Sequence, residues 1–423
     1  MIYVHVPFCR SFCTYCGFYS EVAPKCRKAE DASRQDELLE KYAVALESEV
    51  RSRAEDISRV FTSSGVSTLY IGGGTPSVLP PAVFERLVDS LLSVGHPCDF
   101  QEFTVEVNPE DIVEKGPEYV SRLLDLGVNR ISMGVQSFDD GILKWMNRRH
   151  SAAQAVEAYR ILEEAGAENI SIDLIFGLPQ MSEELWRETL HKALDISARG
   201  VPPKHISAYQ LSVEEGSMLE KLIARGKWTE ASEQLCERQY YVLCETLEAA
   251  GYHHYEISNY AQPGYEAVHN SAYWRDVPYV GLGPGAHSYM LPSLPLSSGT
   301  AAAAMSCRHL ADADGTASGD DSFGKRQWNE ADLGAYIEAG SIGDFSAVQG
   351  SEVLDEEQRV LERIMLGLRT AAGVPEMFLR RHCDADALDC ALAAGNLIIL
   401  ENGSLRIPED RFFISDSIVS DLV

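Results

Sequence analysis

Tyr3-Val4-His5-Val6-Pro7-Phe8-Cys9-Arg10-Ser11-Phe12-Cys13-Thr14-Tyr15-Cys16-Gly17-Phe18 is the stretch on which the reading of this chain turns. A short β-rich run ends at Pro7, and a loop follows in which cysteines are separated by three and then two residues. Three thiolates at that spacing can fold around one iron–sulfur cube from a single loop. A [4Fe–4S] cube ordinarily takes four protein thiolates, one per iron, so three leave one iron for an outside ligand. Zinc competes for the same residues, but a structural zinc site needs a fourth protein ligand, usually in paired Cys-x2–4-Cys arms. His5 is near, yet its place inside the predicted strand makes it a poor fourth. Chance clustering is the remaining alternative.

Outward from this loop, β-rich runs recur at Ile2–Val6, Thr68–Ile71, Glu102–Val107, Arg130–Val135, Ile170–Ile175 and His205–Leu211. Amphipathic stretches lie between them at Leu38–Ala54, Val83–Leu92, Glu118–Leu126, Ala152–Glu164 and Glu184–Ala198. Strands separated by helical crossovers predict an α/β fold on a parallel sheet, either an open doubly wound sheet or a partial barrel. Several runs end in Gly72-Gly73-Gly74-Thr75-Pro76, Asn108-Pro109, Gln136-Ser137 or Gly177-Leu178-Pro179. These suit loops on the C-terminal edge of the sheet, where parallel α/β folds place their chemistry; any one of them alone could be a simple turn.

The chain has 423 residues, with 64 acidic against 36 basic side chains and a net charge of −28. That length allows a large first domain and a smaller second one. The acidic balance argues against nucleic acid as a partner, since a phosphate backbone is repelled by such a surface. No run of some eighteen apolar residues is present to span a membrane, and no basic lead-in marks a signal peptide. Ten cysteines are too sparse for a disulfide scaffold. Cys26, Cys98, Cys236, Cys244, Cys307, Cys383 and Cys390 read as buried or incidental thiols, and a reducing cytoplasm fits all of them.

Past a helical stretch at Glu233–Ala250, the segment Tyr255–Tyr289 is dense in Tyr, Asn, Gly and His. Leu291–Gly324 is rich in Ser, Ala, Gly and Asp without periodicity and reads as a surface insertion with no assigned role. Periodicity returns at Leu354–Leu368, and Pro375–Val423 carries two helical patterns and a hairpin over Leu397–Ile407 turning at Asn402-Gly403. The expected organisation is a core barrel over 1–215, a capping segment over 216–290, the insertion over 291–324 and a smaller helical, winged-helix-like domain over 325–423.

Taken together, the cysteine loop, Tyr70-Ile-Gly-Gly-Gly-Thr75-Pro-Ser, Val105-Glu106-Val-Asn-Pro109, Arg130-Ile-Ser-Met-Gly-Val-Gln136-Ser, Ile172-Asp173-Leu-Ile-Phe-Gly-Leu-Pro179, Tyr255-Glu-Ile-Ser-Asn-Tyr260 and Gly283-Pro-Gly-Ala-His287-Ser resemble the radical S-adenosylmethionine (SAM) superfamily. More narrowly they resemble the branch containing oxygen-independent coproporphyrinogen III oxidase and the HemW heme chaperones. The resemblance covers most of the chain, apart from the insertion and a charged stretch near 25–37. It implies a partial (β/α)6 TIM-like barrel, beside the smaller C-terminal α+β domain that the pattern of the tail suggests. It also implies a [4Fe–4S] cluster on Cys9, Cys13 and Cys16, with SAM on the open iron. By the family's pattern, Tyr3, Tyr15, Gly73, Gly74, Thr75, Glu106, Gln136, Arg148 and Asp173 would line the SAM site. Glycines let the main chain approach a ligand closely, carboxylates accept from ammonium or ribose hydroxyls, and Arg148 can pair with a carboxylate. For Glu106 and Asp173 the bland alternative is a salt bridge at a barrel rim.

Two functions follow from that resemblance. One is oxidative decarboxylation of coproporphyrinogen III to protoporphyrinogen IX; the other is binding heme and passing it to an acceptor protein. The oxidase pattern has a further cysteine two positions beyond the third ligand, where this chain has Phe18. His269-Asn270-Ser-Ala-Tyr273-Trp274 resembles the HNxxYW signature of the chaperones. Histidine can ligate heme iron and aromatic rings can pack on the macrocycle, which makes His269, Asn270, Tyr273 and Trp274 the candidate heme residues. The alternative is a hydrogen-bonded structural histidine. His287 is a rival ligand, although its glycine-rich setting suggests a loop closing one end of the barrel. Arg326-Gln-Trp328-Asn329 resembles a family segment displaced by the insertion. The favoured expectation is a cytoplasmic heme chaperone lacking oxidase activity, whose cluster draws electrons from a flavodoxin- or ferredoxin-like donor.

Overall fold

The computed structural model describes residues 1–22, 29–96, 99–291 and 324–423. Cys26, Cys98, Cys307 and nearly all of the expected insertion lie outside the described residues.

Six strands, Ile2–Val6, Thr68–Gly73, Glu102–Val107, Arg130–Gln136, Ile170–Phe176 and His205–Gln210, run parallel and adjacent in chain order. Helices cover their outer face, among them Pro81–Ser93, Pro109–Asp125, Ala152–Glu164 and Glu183–Leu194. Alternation along each strand explains the arrangement. Ile2, Val4, Leu69, Ile71, Phe103, Val105, Ile131 and Met133 are buried against the helices, each contributing roughly 1.5–3 kcal/mol. The intervening positions, such as Tyr3, Tyr70, Glu106, Ser132 and Asp173, face the concave inside. A strand whose inward positions are polar is building a site as well as a core.

The sheet does not stop at residue 215. Val280–Leu282 adds in parallel beside the first strand, while Asn259–Ala261 and His253–Glu256 extend the other edge antiparallel. These make nine strands among the described residues, with His253–Glu256 and Val280–Leu282 as unjoined edges. The fold is therefore a partial barrel.

One helix is longer than periodicity suggested. Pro109–Asp125 begins nine residues before the amphipathic pattern at Glu118, with Pro109 in its first turn. At Gly116 the backbone turns to φ 70°, and Pro117 restarts the helix. The break shifts the apolar face, so the periodicity is visible only in the second half.

His287–Met290 pairs antiparallel with Lys325–Asn329, which pairs with Gln349–Val353. Met290 stands opposite Lys325, so the residues on either side of the expected insertion are neighbours in a ladder. Toward the C-terminus, Glu376–His382 and Ala385–Ala393 pack with a small antiparallel sheet of Val374–Pro375, Ser404–Arg406 and Ile398–Ile399. The expected hairpin is there: Gly403, at φ 77°, donates to the Leu400 carbonyl at 2.9 Å.

Candidate functional site

The cysteine loop sits at the C-terminal end of the first strand. It is tied down by Thr14, whose amide donates to the Met146 carbonyl at 3.0 Å and whose hydroxyl donates to the Trp145 carbonyl at 2.8 Å. Asn147 donates to the Phe12 carbonyl at 2.7 Å, and the Leu219 amide to the Thr14 carbonyl at 2.8 Å. Arg10 pairs with buried Asp111 at 2.9 Å, joining the loop to the helix Pro109–Asp125.

Cys9, Cys13 and Cys16 are free, half-buried thiols. Arg148 reaches to 3.6 Å from Cys13 Sγ, and the Thr75 hydroxyl to 3.5 Å from Cys9 Sγ. Burial pushes the Cys9 thiol up and the Cys16 thiol up to about 11. Without a metal Cys9 and Cys16 are neutral thiols; a bound metal would shift them to thiolate, and the Arg148 guanidinium favours that charge. Among the described residues no three His, Cys, Asp or Glu side chains converge as a single metal ion requires. A cube, in which each thiolate meets a different iron, does not need that convergence. Three thiols on one loop fit a [4Fe–4S] cluster with one iron left open.

Around the loop, the expected SAM residues fall into connected groups. Arg148 Nη2 donates to Asn108 Oδ1 at 2.6 Å and to the Gly134 carbonyl at 2.7 Å. Asn108 Nδ2 donates in turn to the Thr75 hydroxyl at 3.2 Å. Asn108 occupies the cap position of the helix Pro109–Asp125 without making a side-chain cap, because its amide is engaged in this bridge. Glu106 accepts from Tyr70 OH at 2.7 Å and from the Gly73 amide at 3.1 Å. Burial pushes the Glu106 carboxyl up to about 7, with Asp173 adding to the shift. Asp173, also raised by burial, accepts from the Ser132 hydroxyl at 3.2 Å. Gln136 ends its strand at φ 65°, where the register slips against the next strand. Gly73 has φ 107°, and a Cβ there would meet the His5 ring at 2.6 Å. Tyr3 OH lies 3.0 Å from His5 Nδ1, and His5 Nε2 lies 2.8 Å from the Tyr19 carbonyl. Burial also raises the Tyr15 phenol, which stands beside Arg148 and Cys13. Sequence reasoning left Asn108, Tyr70 and Ser132 without a role; an Asn-Pro pair closing a barrel strand was the signal available for the first.

The helix Val268–Trp274 lies at the opposite end of the barrel. The Val268 and His269 amides donate to the Glu102 carboxylate at 2.7 and 3.0 Å, and His269 Nδ1 is 2.7 Å from the Thr68 hydroxyl. Thr68 and Glu102 begin their strands, so this helix floors the N-terminal side. His269 is 1% exposed, its ring stacks on Tyr70 at 5.1 Å, and Nε2 lies 3.1 Å from Tyr273 OH. Burial lowers its pKa to about 3, so the ring is neutral. Both nitrogens are engaged, and Nε2 can meet an iron only by releasing Tyr273. The signature residues then diverge: Tyr273 lines a cavity of about 340 Å³ shared with Tyr3, His5, Phe18 and His287. Trp274 lines another of about 900 Å³ shared with Tyr252, His253 and Thr370. Asn270, half-buried, sits beside His269 on the same helix.

A partial parallel barrel carrying a Cys-x3-Cys-x2-Cys loop on its C-terminal rim defines a radical SAM protein, and the model of the radical SAM superfamily matches residues 3–193. The heme chaperone HemW of Bacillus subtilis is 31% identical over 373 residues, spanning 88% of this chain and 84% of that protein. HemW of Lactococcus lactis is 34% identical over 288 residues, spanning 68% and 69%. Among solved structures, coproporphyrinogen III oxidase (HemN) from Escherichia coli superposes with a TM-score of 0.70 at 21% identity, covering 99% of this chain and 89% of that one. The chain belongs to the radical SAM superfamily, in the family of the heme chaperone HemW. That family implies a [4Fe–4S] cluster and SAM. Among the described residues no helix is long and apolar enough to cross a membrane.

Proposed function

We propose that this chain is a heme chaperone: it binds heme, keeps a SAM-ligated [4Fe–4S] cluster, and passes heme to an acceptor protein. Cys9, Cys13 and Cys16 would hold the cluster, and Tyr3, Tyr15, Gly73, Gly74, Thr75, Glu106, Gln136, Arg148 and Asp173 would line the SAM site. Bound there, the cluster and SAM supply one-electron chemistry, with a flavodoxin- or ferredoxin-like donor as the electron source. The chain's own residues fix the geometry: Arg148 places charge beside Cys13, and Glu106 offers an acceptor on the inner wall. His269, Asn270, Tyr273 and Trp274 would form the heme-side framework. The core of the barrel would comprise 1–215, with the capping segment 216–290 completing the edges of its sheet and 325–423 as the C-terminal unit, in a cytoplasmic protein.

One observation carries the choice of chaperone over oxidase. Phe18, where the oxidase pattern has cysteine, is 71% exposed and lines the cavity beside Tyr3. An exposed aromatic ring suits a flat apolar ligand and cannot replace a thiol in proton or electron chemistry. The deciding experiment supplies the reconstituted protein with SAM, a low-potential reductant and coproporphyrinogen III under anaerobic conditions. No protoporphyrinogen IX should form; turnover would overturn the reading.

A further inference from the structure

Resting on the heme-binding reading, the geometry points to His287 as the axial ligand of the tetrapyrrole, seated in the cavity beside the cysteine loop. His269 is enclosed in the barrel floor with both ring nitrogens hydrogen-bonded. His287 is its opposite in each respect. It is exposed at the start of the strand His287–Met290, and among the described residues its ring nitrogens make no hydrogen bond. The ring stacks on Trp328 with centroids 6.1 Å apart and planes 25° from parallel, which holds its orientation without engaging a nitrogen. An imidazole nitrogen that is oriented and accessible is what an iron needs.

The backbone beneath His287 is firmly set. Gly283, at φ 93°, lies so close to the first strand that a Cβ would meet the His5 carbonyl oxygen at 2.4 Å. Its amide donates to the buried Glu49 carboxylate at 2.8 Å. Ser288, the next residue after His287, turns inward and accepts from the Gly281 amide at 2.9 Å. Strand alternation therefore directs His287 outward.

The surrounding wall suits a macrocycle. The cavity of about 340 Å³ is lined by Tyr3, Phe18, Tyr19, Tyr273, Tyr279 and His287, among others. Tyr273 and Tyr279 meet edge to face at 4.7 Å, and Phe18 projects into solvent from the cysteine loop. Planar aromatic surfaces with one free nitrogen match the two demands of a metallotetrapyrrole: an apolar face and an axial ligand. Tyr3 belongs both to this cavity and to the expected SAM residues, so a bound macrocycle would lie against the SAM side of the barrel. The HNxxYW helix then contributes through Tyr273, which reaches the cavity while its hydroxyl holds His269.

The test is anaerobic titration of the full-length, cluster-loaded chain with hemin, read as the difference spectrum against the heme-free protein and by ferric electron paramagnetic resonance. His287→Ala should weaken heme binding about tenfold or more and lose the histidine-ligated signature, and added imidazole should restore it. His287→Cys should give a thiolate-type spectrum in its place. His191→Gln, at an exposed histidine on the outer helix Glu183–Leu194, should leave the wild-type Soret position, and His269→Gln tests the rival ligand. Wild-type binding that His287→Ala leaves unchanged, or that His269→Gln alone abolishes, overturns the assignment while the chaperone reading stands. A wild-type chain that binds no heme overturns both.

Discussion

The Asn329 side-chain amide donates to buried Glu49 at 2.7 Å across 280 residues of sequence, and the same nitrogen donates to the Gly283 carbonyl at 2.8 Å. Glu49 also accepts from Tyr336 OH at 2.7 Å. One carboxylate thereby fastens the loop before His287, the strand Lys325–Asn329 and the long helix Ala29–Ser52. Its charge is fully buried, and burial raises its pKa against three stabilising donors.

Asn329→Leu should therefore be costly. It removes one of the three donors that the buried Glu49 carboxylate accepts from, a loss of roughly 1–3 kcal/mol. Thermal unfolding should shift down by several degrees, whereas Glu49→Gln, which keeps the volume and much of the hydrogen bonding, should cost less. Equal melting temperatures for Asn329→Leu and wild type would show that the network is idle.

Cluster assembly should follow the three loop thiols alone. Anaerobic reconstitution should give about four irons per chain, and Cys9→Ala, Cys13→Ala or Cys16→Ala should each lose most of them. Cys236→Ala should retain full iron, because that thiol is buried on the helix Glu233–Ala249 and does not belong to the loop. Iron analysis and the visible charge-transfer band report both arms.

Arg148→Lys keeps the charge but cannot meet Asn108, Gly134 and Cys13 together. SAM affinity should drop about tenfold, equivalent to about 1.4 kcal/mol, with iron content near wild type. Anaerobic calorimetry gives the affinity; an unchanged dissociation constant would place SAM elsewhere.

Glu256 provides a pH signature. Burial raises its carboxyl from the usual 4.5 to about 7, against hydrogen bonds from its neighbours. Between those values the folded chain holds a proton that the unfolded chain has released. Stability from this group is thus fully present below about 4.5 and is lost as pH rises through 7. Glu256→Gln should flatten the decline in melting temperature from pH 5 to 8. A variant with the wild-type slope would mean the carboxylate is already ionised in the native state.

Strand ends were the most legible part of the sequence, and for a physical reason. The concave face of a parallel barrel forces polar residues onto alternate positions, and the chain must turn where the strand stops. Gly73 and Gln136 were readable from the turns that close their strands, whereas Glu106 and Asp173 entered the candidate set only through the family resemblance. Asn108 was not readable, because an asparagine before a proline is the ordinary sign of a helix cap, and only the fold shows its amide turned toward Arg148 and Thr75 instead. The floor was hidden for a different reason. Nothing local in His269-Asn270-Ser-Ala-Tyr273-Trp274 says that Thr68 and Glu102, from distant strands, will close on its first turn. His287 stood among glycines that suggested a closing loop, and the strand alternation that exposes its ring depends on a pairing with Trp328 made across the insertion.

That pairing has a consequence of its own. Met290 and Lys325 face one another in an antiparallel ladder, so the two points where residues 292–323 leave and rejoin the fold are held together by the strands themselves. For a flexible linker engineered between two points held this way, doubling the length would add only about 0.6 kcal/mol to the closure cost. Length is then nearly a free variable at this position: it is a socket, where a short turn, a reporter domain or a partner-binding cassette can be exchanged while the barrel keeps its register.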